Sequence, residues 1–334
     1  MKHLLRFVVV AALAAGGFLM WHAQLIRTER PPALRLGIPI IPHLALVDVA
    51  AKKGFFADEG VTVDIKEFTG GKFALQALLA GSLDMAVAAE VPVVLATMNS
   101  EKIVVLAELN KANGLSVLLR KDPSLSGPFD VQKYFYEKRK IATSMGSSAE
   151  FFLAQFLKAQ AIDSAKVEII GMKPEDTPIA LANHSVDGIA IYEPFVSFAK
   201  QRTHPAELWS AQMPELRMEN MLLVARPNWV SEHPKEVEKI LKALKSSEGF
   251  VNANRHESIG IVASSTKLDI QTLSGIWNKF YFGLRLDDHL VELLNATAQW
   301  AKDTGNVKPD SEIPNFRSII YDGPLKNVSP SSEL

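Results

Sequence analysis

Two glutamates end two segments of similar sequence that lie about a hundred residues apart. Glu90 follows the segment 77–89, and Glu193 follows the segment 180–192. Each segment reads as the end of a helix, a turn, a Ser-x-Asp triplet and a short apolar strand. A carboxylate past such a strand could bind an amine, an amidine or an aminopyrimidine, or act in acid–base catalysis. No nucleophile lies in either segment, so the pattern favours binding, although solvated or helix-capping carboxylates would look the same.

Two polar loops precede predicted helices and form the next candidates. Backbone N–H groups at a helix start bind anions, and a lysine or serine there adds charge or further donors. The loop residues are Gly70, Gly71 and Lys72 after one strand, and Ser144, Gly146, Ser147 and Ser148 after another. Plainer interpretations exist, because a glycine pair is commonly a turn and Ser147 with Glu150 forms a capping-box pattern. Such a box leaves other amides free, so capping and anion binding can coexist.

The first predicted strand-to-helix loop supplies Pro42 and His43, which could reach a ligand or simply cap the helix. The chain has eight histidines without paired spacing, so no metal site is predicted. Some aromatic side chains could line a cleft and stack on a ring, although such residues more commonly pack in a core. They are Phe73, Phe151, Tyr192 and Phe195.

The elements that must position these residues alternate between strand and helix in two βαβαβ units. The predicted strands are Leu34–Ile40, Val61–Phe68, Leu83–Ala89, Lys140–Ser144, Val167–Gly171 and Val186–Tyr192. The right-handed crossover rule makes the strands of each unit parallel. Ligands of such sheets sit outside the carboxyl ends of the strands. The sequence therefore predicts an α/β protein with two lobes, and Glu90 and Glu193 facing one another across the cleft between them.

The predicted lobes are not continuous in sequence. Residues 34–118 form the first part of lobe 1, residues 119–221 form lobe 2, and residues 222–334 return to lobe 1. Hinge strands are expected near Leu115–Leu119 and Met221–Ala225. The C-terminal part contributes helices that pack on lobe 1 and a last short strand. These elements are predicted at Ser231–Phe250 with Ser231 as cap, at Thr272–Tyr281, at Asp287–Thr304 and at Ile319–Tyr321.

Residues 1–33 have the pattern of an export signal and a linker. Lys2 and Arg6 precede the uncharged stretch 7–21, which could be a cleaved signal or an uncleaved membrane anchor. A buried N-terminal helix is less favoured, because it would normally show a polar face. The net charge of −1 gives no reason to expect nucleic acid, and the absence of cysteine excludes disulfides and thiolate sites.

The chain resembles the substrate-binding proteins of ABC importers for nitrate, sulfonates, taurine and thiamine precursors. The similarity is carried by Ala50–Val61, Gly70–Asp84, Ile141–Ser148 and Val186–Pro194. It implies a two-lobed periplasmic-binding-protein fold of type II, no catalysis and no cofactor. It also implies a monomer that delivers a small molecule to an inner-membrane permease. The chain departs from the family at Glu90, where a small hydroxyl residue or glycine is common, and this argues against a purely anionic ligand.

The predicted function is therefore that of an extracytoplasmic solute-binding protein, free in the periplasm or tethered to the inner membrane. Its solute would be a small anionic or zwitterionic molecule, and sulfonate, nitrate, taurine and a thiamine-type pyrimidine remain open. One alternative is a membrane-anchored sensor with the same cleft. Another is an enzyme of thiamine-precursor synthesis, against which the absence of cysteine weighs, because such relatives use cysteine-rich motifs.

Overall fold

The computed structural model describes residues 33–125, 127–211 and 219–329, and its strands form two sheets. Helices cover both sheets, because each sheet must bury its apolar faces. The strands are β1 (Leu34–Pro39), β2 (Val63–Phe68), β3 (Met85–Ala89), β4 (Val104–Ala112), β5 (Ser116–Arg120), β6 (Arg139–Thr143), β7 (Val167–Gly171), β8 (Gly188–Ile191), β9 (Leu208–Ala211), β10 (Glu219–Ala225) and β11 (Phe280–Arg285).

The α-helices are α1 (Ala45–Lys53), α2 (Phe55–Asp58), α3 (Gly71–Leu79), α4 (Glu90–Met98), α5 (Val131–Tyr134), α6 (Ser148–Ala159), α7 (Thr177–Ala182), α8 (Phe195–Arg202), α9 (Pro227–Glu232), α10 (Pro234–Ala253), α11 (Arg255–Thr266), α12 (Ile270–Ile276), α13 (Asp288–Asp303) and α14 (Gly323–Val328). Within the described residues, no helix is long and apolar enough to cross a membrane. The predicted signal or anchor at residues 1–32 lies outside the described part of the chain.

Both predicted βαβαβ units are present, one in each sheet. The six-stranded sheet has the order β11-β4-β10-β3-β1-β2, and the five-stranded sheet has the order β7-β6-β8-β5-β9. Strand β1 pairs in parallel with β2 and β3, and β6 pairs in parallel with β7 and β8. The remaining strands pair antiparallel. The α/β class is therefore confirmed, but each sheet is mixed, because the chain adds antiparallel strands where it leaves and re-enters each unit.

The repeated Ser-x-Asp triplets have the same structural role in both units. The Asp84 carboxylate accepts a hydrogen bond from the backbone N–H of Arg35 at 2.8 Å, and the Asp84 N–H donates to the Arg35 carbonyl at 2.9 Å. Asp187 makes the equivalent bonds with Lys140, at 2.7 and 2.9 Å. Each aspartate therefore ties the start of its strand, β3 or β8, to the neighbouring central strand. The sequence repeat reflects this duplicated strand junction.

The predicted lobe boundaries are wrong in detail, because they cut two strands. Strand β5 lies wholly in the five-stranded sheet, although a boundary was expected between residues 118 and 119. Strand β10 lies wholly in the six-stranded sheet, although the other boundary was expected between residues 221 and 222. A strand cut between sheets would leave backbone groups unpaired, so the sheet changes between whole strands, from β4 to β5 and from β9 to β10.

The C-terminal helices pack on the six-stranded sheet's helices, as expected. Helix α10 contacts α1, α13 contacts α4, and α14 contacts α10. Helix α13 also reaches the helices of the five-stranded sheet, where Trp300 packs against Phe151 with ring centroids 4.9 Å apart.

Three C-terminal predictions are wrong. The expected helix at 231–250 is broken at His233, because Pro234 starts a new helix and cannot continue the preceding one. Ser231 lies inside α9 and donates to the Asn228 carbonyl instead of capping. The expected helix at 272–281 ends at Ile276, and a 3-10 helix at Trp277–Lys279 and then β11 follow it. At 319–321 only an isolated bridge joins Ile320 to Val105, after a 3-10 helix.

Candidate functional site

A pocket lies between the two sheets, at the carboxyl ends of their parallel strands. It holds about 430 Å³ of unoccupied space, part of which is open to solvent. The six-stranded side contributes Pro39, Ile41, Gly70, Gly71, Lys72, Phe73, Ala89, Pro92, Glu219 and Met221, and the five-stranded side contributes Ser144, Ser147, Pro174 and Tyr192. Every parallel strand of the two βαβαβ units therefore has a residue at or just past its carboxyl end in this pocket.

Half of the twelve predicted site residues line this pocket, and half do not. Those in the lining are Gly70, Gly71, Lys72, Ser144, Ser147 and Tyr192. Those outside the lining are Pro42, His43, Glu90, Gly146, Ser148 and Glu193. Gly146 lies instead in an adjoining outer pocket, which shares Lys72, Phe73 and Pro92 with the inner one. Their binding roles stay predictions.

The loop before α3 comes unusually close to β3 because it contains Gly71. A Cβ atom on Gly71 would lie 2.9 Å from the Ala88 Cα and 3.2 Å from the Val87 carbonyl oxygen. This approach directs Lys72 toward the other sheet, where its Nζ donates to the Met145 carbonyl at 2.9 Å. Burial lowers the pKa of Lys72, and the nearby Glu150 opposes that shift. Lys72 therefore bridges the two walls between the inner and outer pockets.

The loop before α6 forms a modified capping box. The Ser147 hydroxyl accepts from the Ala149 N–H at 3.2 Å and donates to the Ser144 carbonyl at 2.6 Å. The Glu150 carboxylate accepts from the Gly146 N–H at 2.5 Å, whereas an ordinary box would use the Ser147 N–H. Capping therefore uses the backbone N–H groups of Gly146 and Ala149. Among the described bonds, no capping bond uses the backbone N–H groups of Ser147 and Ser148.

Glu90 is the first residue of α4 and is buried beneath the pocket rather than projecting into it. Its Oε2 accepts from the Asn220 N–H at 3.0 Å. Burial and the neighbouring carboxyl of Glu219 raise the pKa of Glu90 to about 8, although the Asn220 amide acts in the opposite direction. Glu90 is therefore largely protonated at neutral pH. The Glu90 side chain is therefore not solvated, and it does not line the pocket.

Glu193 does not face Glu90 across the pocket, so that expectation is wrong. Its Oε1 accepts from the Lys279 Nζ at 2.7 Å. Its Oε2 accepts from the Ser197 N–H at 3.0 Å and from the Ser197 hydroxyl at 2.8 Å. Both oxygens are used, and the side chain is buried. Glu193 therefore anchors the start of α8 and joins it to the element that precedes β11.

Glu219 is an ionisable pocket residue that the sequence did not point to. It begins β10, lines the pocket and is only 3% exposed. Its Oε2 lies 3.1 Å from the Nε2 of His43, a buried residue whose ring packs edge-on against Phe280. The sequence contains Glu219, but its position relative to the pocket depends on the direction of β10. Because β10 runs antiparallel to β3, its amino-terminal end lies at the carboxyl edge of the parallel strands, where ligands bind.

The sequence profile of the NMT1/THI5-like family matches residues 42–258. The chain belongs to the NMT1/THI5-like family. A protein of Bacillus subtilis (strain 168) that is named as an aliphatic sulfonates-binding protein is 28% identical over 275 residues, covering 80% of this chain and 78% of that protein. The taurine-binding periplasmic protein of Escherichia coli (strain K12) is 24% identical over 236 residues, covering 69% and 68%.

The fold of this NMT1/THI5-like protein matches a solved binding protein. The periplasmic aliphatic sulphonate binding protein SsuA from Escherichia coli aligns with a TM-score of 0.73 at 17% identity, covering 87% of this chain and 92% of that one. The expected two-lobed periplasmic-binding-protein fold is therefore confirmed. The relatives named here are binding proteins rather than enzymes, and two of them are periplasmic, which agrees with the expected binding role and extracytoplasmic location.

Proposed function

We propose that this protein captures a small organic solute with an anionic head in the pocket between its two sheets. The observation that carries the proposal is the meeting of two helix-initiating loops, one from each sheet, in a single pocket. Lys72 comes from the first loop, and Ser144 and Ser147 come from the second. Amides at helix starts, serine hydroxyls and a lysine are the groups that bind sulfonates, carboxylates and phosphates.

The sulfonate- and taurine-binding relatives support the same ligand class. In the proposal the loaded protein delivers its solute to an ABC permease of the inner membrane. Residues 1–33 would act as the export signal or as a tether. Mass spectrometry of the mature N-terminus would separate these two cases, because a cleaved signal removes the apolar stretch 7–21.

Capture would involve closure of the two sheets and their helices around the solute. A ligand that contacts both walls stabilises the closed arrangement over the open one, because only the closed arrangement makes both sets of contacts. Lys72 illustrates this, since its Nζ already reaches the Met145 carbonyl on the opposite wall. An anionic head bound near Lys72 would replace the contact between Lys72 and Met145, or add a second contact between the two walls.

The test is a thermal-shift screen of sulfonates, amino-sulfonates, aminopyrimidines and inorganic anions, followed by titration calorimetry of the hits. Ligand at a hundred times its Kd adds about 2.7 kcal/mol to the free energy of unfolding, which corresponds to a rise in Tm of roughly 5 °C. Lys72→Ala should weaken the best hit by about tenfold or more, and Lys66→Ala on the exposed edge strand β2 should not. The proposal fails if no compound raises the Tm.

A further inference from the structure

We infer that the solute carries a nitrogen with N–H donors, such as a protonated amine, and that Glu219 binds this nitrogen; this deepens the proposed function and rests on it. An anionic head bound by Lys72, Ser144 and Ser147 would leave Glu219 unused. The Oε2 of Glu219 faces the same pocket and accepts a hydrogen bond from none of the described residues. A dipolar solute, with its anion and its nitrogen at opposite ends, could contact both the helix-initiating loops and Glu219.

The unsatisfied carboxyl is the central observation. Glu219 is 3% exposed and lines the pocket, and its Oε2 accepts no hydrogen bond of ordinary geometry from any described residue. The His43 Nε2 lies 3.1 Å away but is not aligned to donate. A buried acceptor without a donor is costly, and the cost is removed when a bound molecule supplies one.

The other carboxyl group of this region, that of Glu90, does not line the pocket. Glu90 accepts the Asn220 N–H at 3.0 Å beneath the pocket. The burial and like charge that raise the pKa of Glu90 to about 8 keep its proton in place at neutral pH. The carboxyl that reaches the pocket is therefore the one available to pair with a cationic nitrogen.

Tyr192 supplies a second polar group of the protein that can contact the same ligand. It lines the pocket and is 6% exposed. Burial and the nearby Glu219 raise the pKa of Tyr192, so the hydroxyl stays neutral and can accept an N–H or donate to the ligand. Two buried polar side chains, one from each side of the pocket, thus lie in its lining.

An ion without a donor would be poorly matched to this side. Nitrate or a simple alkanesulfonate has only acceptor oxygens, so it would leave the Glu219 Oε2 without a donor. The head of a dipolar solute can instead lie toward Lys72, Ser144 and Ser147. Among ligands with the same anionic head, the pocket should therefore bind those with an amine more tightly than those without one.

The experiment is titration calorimetry with two series of matched ligands. The sulfonate series is taurine, isethionate and ethanesulfonate, which differ only in carrying an amine, a hydroxyl or a hydrogen. The carboxylate series is β-alanine, 3-hydroxypropionate and propionate. On at least one head, we expect the amine to bind about ten- to a hundredfold more tightly than its two analogues, which is the worth of a charge-assisted hydrogen bond.

Measuring the Glu219→Gln variant tests whether the preference for the amine ligand depends on this side chain. The isosteric change should remove most of the amine preference and leave the analogues' affinity unchanged or higher, whereas Glu137→Gln on the exposed surface should change neither. Far-ultraviolet circular dichroism and the melting temperature check that the variant is folded. If it does not fold, the preference measured on the unaltered protein still decides the ligand class.

The outcomes separate the two proposals. Equal binding of amine, hydroxyl and unsubstituted ligands would overturn the inference and leave the proposed function standing. An amine preference that survives Glu219→Gln would overturn the role of Glu219. A complete lack of binding across both series, with no hit in the wider thermal-shift screen, would overturn the proposed function together with the inference.

Discussion

At the scale of single residues, Glu90 shows how burial changes the meaning of a side chain. The folded protein holds its proton up to a pKa of about 8, whereas an exposed glutamate loses it near 4.5. The folded state therefore binds more protons than the unfolded state between these values, and the contribution of Glu90 to stability falls as pH rises through that range. Glu108, whose pKa burial raises to about 7, adds to the same slope.

We predict that Glu90→Gln makes the protein less sensitive to alkaline pH. The amide keeps an acceptor for the Asn220 N–H but cannot ionise, so the free energy of unfolding at pH 8 should rise by roughly 1–3 kcal/mol. At pH 5 the difference should be small. Urea unfolding at pH 5, 6.5 and 8 measures this, with the exposed Glu101→Gln as control. A variant with the same pH slope as the parent would contradict the assignment.

At the scale of elements, the packing of α3 on β3 depends on a glycine. A Cβ at Gly71 would meet backbone atoms of Ala88 and Val87 that cannot move aside cheaply. The adjacent Gly70 has extended backbone at φ −166°, and a Cβ there would make ordinary contacts with Phe73, the nearest at 3.6 Å. The two neighbouring glycines therefore differ sharply in what they tolerate.

Gly71→Ala should destabilise the protein by roughly 1–3 kcal/mol, the usual cost of overpacking. It should also weaken solute binding, because pushing α3 away from β3 displaces Lys72 from the pocket. Gly70→Ala is the matched control and should change stability by less than about 0.5 kcal/mol. Chemical unfolding and calorimetry with the best solute provide both measurements. Equal effects of the two substitutions would show that the close approach at Gly71 is unimportant.

At the scale of the whole molecule, a few side chains join the helices and loops of the two sheets. Lys279, just before β11, pairs with Glu193 after β8, and the Gln201 amide on α8 donates to the Thr272 hydroxyl on α12 at 2.9 Å. The Asn306 amide also donates to Glu150 at 3.1 Å. These contacts favour the arrangement in which the pocket is enclosed, so they belong to the energy balance of closure.

Lys279→Met should shift the unliganded protein toward an open arrangement. The substitution leaves the buried Glu193 without its cation, and opening the pocket would hydrate that carboxylate. We expect a larger radius of gyration by small-angle scattering without solute, and a Kd raised by about tenfold, since binding must then drive closure. Lys326→Met, which breaks an exposed pair with Asp322, is the control. Unchanged scattering and affinity would remove this ion pair from the closure mechanism.

Much of this architecture was determined by the sequence alone. Short apolar runs that alternate with helices identified both βαβαβ units, and the repeated triplets ending at Asp84 and Asp187 marked equivalent strand junctions. The glycine and serine loops were correctly expected at the carboxyl ends of strands. These signals are local, because strand and helix periodicity, turn residues and caps are written in neighbouring residues.

The tertiary structure decided which polar groups reach the pocket. Glu193 pairs with Lys279, which lies 86 residues later in the chain, and Glu90 is covered by the returning strand β10. Glu219 enters the pocket because β10 runs antiparallel, so the start of that strand meets the ends of the others. Sequence spacing cannot predict such long-range partners. Burial and charge at a site depend on which distant segments pack there, and only the folded chain brings them together.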